Sequence, residues 1–96
     1  MESNKIEFRC LDSYEAEKLA SIFSKQKDES IFVSEIVKII DSEIVVRLRD
    51  GSHHSILLKN FETAKKLHNF FNIVTEDKLN VLQTNYEQDR AIFYFS

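Results

Sequence analysis

The sequence predicts an α+β domain. It reads as two βαββ units, a candidate duplication, forming one mainly antiparallel sheet or partial barrel with two helices packed on it. Three observations predict this. Apolar residues switch between a period of two and a period near 3.6, in the order strand, helix, strand, strand, and then the same again. Each helical stretch follows a capping residue, Asp12 and Asn60, which stand 48 positions apart. An ungapped shift by those 48 positions superposes helix faces, polar breaks and turns.

Each element has a local reason. Ile6, Phe8 and Cys10 alternate with Glu7 and Arg9, the pattern of a half-buried strand over 6–10. Asp12 followed three residues later by Glu15 makes a capping box. Ala16, Leu19, Ala20 and Phe23 then recur at helical spacing, so a helix is expected over 13–26, with Lys25 and Lys27 suiting the negative end of its dipole. Asp28-Glu29-Ser30 breaks the pattern. Residues 31–40, IFVSEIVKII, are β-branched and apolar, Asp41-Ser42 can turn, and 43–49 continue as a strand. Asp50-Gly51 is the strong turn signal, before a strand at 53–59. Asn60 caps a second helix with Phe61, Ala64, Leu67, Phe70 and Phe71 on its apolar side, ending near Asn72. Glu76-Asp77 interrupts again, and 79–84 and 91–95 read as the last two strands.

Under the 48-residue shift Phe8 falls on Ile56, Cys10 on Leu58, and Ala16, Lys18, Leu19 and Phe23 on Ala64, Lys66, Leu67 and Phe71. Seven positions are identical out of 48, so the argument rests on coinciding punctuation rather than on identity. The chain is expected to be a single domain, 1–96, with pseudo-repeat halves 5–49 and 53–95.

The register of the middle strands follows from keeping apolar residues together. A three-residue loop, with Gly51 at the positive-φ bulge position, pairs Leu48 with His54, Val46 with Ile56 and Ile44 with Leu58. A two-residue turn at Asp41-Ser42 pairs Val37 with Val46 and Ile39 with Ile44 on the same core face. The opposite face then carries Ile36, Lys38, Ile40, Val45, Arg47, Arg49, His53, Ser55 and Leu57, apolar in the middle and basic along one side.

Composition excludes several classes of function. The chain has 96 residues, no proline and one glycine, so no glycine-rich phosphate loop can be written. A net charge of −3 with interspersed signs describes an ordinary surface and disfavours nucleic acid. Cys10 stands alone, which rules out an intrachain disulfide and favours a reducing, cytoplasmic setting. Met1 to Ile6 is polar, unlike a secretory signal, and no apolar run is long enough to span a membrane. Abundant Lys, Asn, Ile and Phe fit an AT-rich coding sequence, such as that of a phage or bacterium.

Little catalytic chemistry is legible. His53 and His54 are adjacent on a strand and point to opposite faces, so they do not chelate one metal, and His68 sits at a helix boundary. Cys10 reads as a small buried hydrophobe, and no serine has a nucleophile-elbow context. No enzyme activity, cofactor or metal is expected. The leading reading is a small non-enzymatic protein-binding module of adaptor or inhibitor type. It would act through a sheet face or by strand pairing, with Ile36, Lys38, Arg47, Arg49, His53, Phe93 and Phe95 as contact residues. The uncharged segment Ala91–Phe95 suggests homodimerisation or strand addition to a partner. Two alternatives stand beside it. One is nucleic-acid binding through Lys38, Arg47, Arg49, His53 and Lys59. The other is a small-molecule effector-binding domain with the ligand between the halves.

Overall fold

The computed structural model describes residues 4–24, 32–76 and 78–96. Eight elements follow one another: β1 (Asn4–Arg9), α1 (Ser13–Ile22), β2 (Val33–Ile40), β3 (Glu43–Leu48), β4 (His53–Leu57), α2 (Phe61–Thr75), β5 (Val81–Glu87) and β6 (Arg90–Phe95). Their order is the expected one. Residues 25 and 26, Lys27 and the break at 28–30 lie outside the described residues, as does the start of the strand expected at 31. Helix α2 runs three residues past Asn72 because Val74 still packs against the core.

The strands make two antiparallel three-stranded sheets, β1-β6-β5 and β2-β3-β4, rather than one. They meet at a single bridge between Cys10 and Leu58, flanked by two reciprocal bonds: the Leu11 amide donates to the Leu57 carbonyl at 3.0 Å, and the Lys59 amide to the Arg9 carbonyl at 2.9 Å. One buried cluster joins both sheets to both helices. It includes Phe8, Ala91 and Phe93 from one sheet, Ile44, Val46 and Ile56 from the other, Leu19 of α1 and Phe23 at its C-cap, and Leu67 and Phe71 from α2. The helices therefore cover one side of both sheets. The smallest dimension, 20 Å, is that of two layers.

Both helices start as the sequence predicts. The Asp12 carboxylate accepts from the Glu15 amide at 2.9 Å, and the Asn60 side-chain oxygen from the Thr63 amide at 2.8 Å. The capping box is only half formed. Glu15 is buried and its carboxylate turns away from the cap, accepting the Leu57 amide at 2.9 Å, with Lys18 3.3 Å off.

Two registers differ from expectation. In β3–β4, Val46 faces His54 and Ile44 faces Ile56, a slip of two residues from the expected pairs. The loop is three residues long, Arg49–Gly51, with Gly51 at φ +91°, but it closes Leu48 on Ser52 rather than on His54: the Leu48 amide donates to Ser52 at 2.8 Å, and the Gly51 amide to Leu48 at 3.0 Å. An even slip keeps every side chain on its face. It also brings Leu58 opposite Ser42, to which its amide donates at 2.7 Å. In β2–β3, Ile39 faces Ile44 as expected, but a bulge between Ile36 and Lys38 breaks the pairing of Val37 with Val46. Ile36 takes that place and packs on the core, while Val37 is left 45% exposed. Ile36 therefore leaves the proposed contact face: the extra residue of a bulge switches the face of what precedes it.

Candidate partner interface

Away from the helices, β2-β3-β4 presents three rows of side chains. Glu35, Arg47 and His53 form one, Lys38, Val45 and Ser55 the next, and Ile40, Glu43 and Leu57 the third. Val45 and Leu57 are half-buried in the middle, and Lys38, Arg47 and His53 are exposed around them. Val37 and Ile40, exposed on β2, extend the apolar part. The Arg47 guanidinium lies 2.8 Å from Glu35, with both side chains about half exposed (46% and 52%), so this pair is solvated and only weakly stabilising.

The same side of β1-β6-β5 is different in kind. Arg90 donates to Glu7 at 3.0 Å and to Glu87 at 2.9 Å; Lys5 lies 3.7 Å from Glu7, and Arg9 lies 3.9 Å from Asp89. These pairs satisfy each other across the strands, as a solvated surface does. That face also carries apolar groups among its charges, the buried Ile92 and the half-buried Tyr94, with Leu82 exposed on β5. What sets β2-β3-β4 apart is that its outer face has one ion pair among the described residues, Arg47–Glu35, beside exposed apolar side chains.

The contact residues read from the sequence divide accordingly. Lys38, Arg47 and His53 share this face. Arg49 is in the adjoining hairpin loop, its amide bonded to the Phe32 carbonyl at 2.9 Å. Lys59 is exposed beyond β4, at the junction with β1. Phe93 is withdrawn from the surface altogether, and Phe95 is half-buried against the core. β6 is the central strand of its sheet, paired with β1 and β5, so the segment 91–95 has no open edge for strand addition. Phe93 is fully buried and meets the Phe8 ring at 5.3 Å, Phe23 at 5.2 Å and Phe70 at 5.6 Å; Phe95 packs on Phe70 at 5.7 Å. Burying these large rings in the core outweighs any gain from presenting them.

Sequence reasoning missed one polar cluster. The Ser52 hydroxyl donates to the Asp50 carboxylate at 2.6 Å and lies 3.3 Å from His54 Nε2. Its one proton is already engaged by the carboxylate, so His54 does not activate it as a nucleophile. The Ser52 hydroxyl and amide hold the Asp50 carboxyl below its ordinary range. The cluster is an Asx turn that closes the hairpin, a pattern legible as Asp followed two residues later by Ser.

Cys10 is fully buried, and burial first, then the Glu15 charge, push its thiol up to about 12. Among the described residues no three His, Cys, Asp or Glu side chains are grouped to hold a metal ion, and no helix is long and apolar enough to cross a membrane. Hollows on α2, lined by Glu62, Lys65, Lys66 and Asn69, and beside Lys78, Leu79, Asn80 and Ser96, are open to solvent. Comparison with protein-family models, with curated proteins and with solved structures returns no match, so neither family nor role comes to this chain by likeness.

Proposed function

We propose that this chain is a small protein-binding module without enzymatic activity, acting through the outer face of β2-β3-β4. One observation carries the reading: of two sheets covered by helices on the same side, one has its bare face laced with ion pairs, while the other exposes Val37 and Ile40 beside Lys38 and His53, with Arg47–Glu35 as its one ion pair among the described residues. A half-apolar patch with a mixed charged rim, Lys38 and Arg47 beside Glu35 and Glu43, suits a protein partner whose complementary surface is apolar at its centre and polar around it. The test is affinity capture from the native cell with the full chain and with a Val37→Ser/Ile40→Ser variant, both substitutions at exposed positions. A partner recovered in stoichiometric amount by the wild type and lost by the folded variant supports the reading. Equal recovery by both, or no stoichiometric partner, overturns it.

Descent from a duplicated βαββ unit belongs to the same proposal. Its support is the equivalence of the two caps, of the bonds flanking Cys10–Leu58, and of the pairs Ile44–Ile56 and Phe8–Ala91. β2 has two register breaks and β5 one, which fits a second half offset by one residue beyond its bulge.

A further inference from the structure

The two halves of this chain do not each build a sheet. The hairpin β5-β6 takes its third strand, β1, from the first half, and the hairpin β2-β3 takes β4 from the second. The helices cross over too. α1 packs on β5 and β6, where the Thr84 hydroxyl donates to the Ala20 carbonyl at 2.8 Å, and α2 packs on β1, β2 and β3. The Phe23 ring of the first half meets the Phe71 ring of the second at 5.7 Å. The chain passes between the halves only through the loop Arg49–Ser52, where Gly51 holds φ +91°.

We propose that the junction between the halves is also an interface between molecules. A second copy of this chain fills it by exchanging residues 53–96 through an opened Arg49–Ser52 hinge. The occupant is a second copy because the surface that β1, α1, β2 and β3 leave open is complementary to the other half of this same chain and reproduces the registers Phe8–Ala91 and Ile44–Ile56 in trans. Every contact of the core is kept and only the hairpin loop changes, since Gly51 adopts an extended φ as readily as its present positive one. Concentration then sets the balance between closed and exchanged forms. The exchange is independent of the outer face of β2-β3-β4, so the two proposals fail separately.

A designed disulfide reads it out in the full chain. Cys10 and Leu58 are non-hydrogen-bonded antiparallel neighbours, whose Cα atoms stand ~4.5 Å apart, within the roughly 4.4–6.8 Å that a disulfide spans. The Leu58→Cys variant, folded dilute and oxidised, is expected to cross-link within one chain and run as a monomer on a non-reducing gel. Deleting residues 49–51 in that background removes the loop that Leu48 and Ser52 close. Most of the protein is then expected to run as a covalent dimer, joined Cys10 to residue 58 of the other chain, with an unchanged circular dichroism spectrum. A deletion variant that remains a cross-linked monomer, that associates without interchain bonds, or that does not fold overturns the proposal.

Discussion

Cys10 shows how one residue acquires its chemistry from its surroundings. Its place in an alternating strand makes it inward-facing, and an inward-facing thiol deep in apolar packing loses the solvation that its thiolate needs. With the folded value raised from 9.0 to about 12, the folded state holds its proton over a range where the unfolded chain releases it. Stability is therefore expected to be unaffected by this group below pH ~9 and to fall as pH rises from ~9 towards ~12. Urea unfolding over that range should show a steeper decline for the wild type than for Cys10→Ala; parallel declines would contradict it.

Glu15 links two elements. The sequence offered it as half of a capping box, an interaction local to α1. In the fold its carboxylate leaves the cap to accept the Leu57 amide, on the edge of β4 that no strand covers there. That amide is otherwise an unsatisfied donor, which costs more than an imperfect cap. Glu15→Ala is expected to destabilise by about 1–3 kcal/mol, the penalty for orphaning a buried donor. Glu15→Gln, which keeps a carbonyl acceptor, should lose less than half of that in thermal or urea unfolding. The bulge at Val37 also acts at this scale. It moves Ile36 onto the core and brings Val37 to the surface, and with it part of the candidate interface.

For the whole molecule, Phe93 is the keystone. Its ring touches Phe8 on β1, Phe23 at the C-cap of α1 and Phe70 on α2, so it ties together three parts of the fold that are distant in sequence. Phe93→Ala is expected to cost about 3–5 kcal/mol, as for other aromatic deletions in a packed core. Phe95→Ala, at a half-buried position, should cost clearly less. Equal effects in chemical denaturation would mean that β6 is not the central strand.

The sequence by itself determined the order of elements, both helix starts, the three-residue loop at Gly51, and which residues of β3 and β4 face inward. These are local: a cap, a turn and an alternation are decided within a few residues. For that reason three of the seven contact residues read from the sequence, Lys38, Arg47 and His53, do share one face. Tertiary structure decided the rest. The bulge that withdrew Ile36 follows from fitting β2 to β3 while keeping Val33 in the core, and no residue in 33–40 announces it. The placing of Ala91–Phe95 between β1 and β5 depends on a strand more than eighty residues away in sequence. An uncharged β-prone segment looks the same in sequence whether its edges are paired or open. What covers it is a property of the assembled sheet, and that is why Phe93 lies in the core and Phe95 packs half-buried against it.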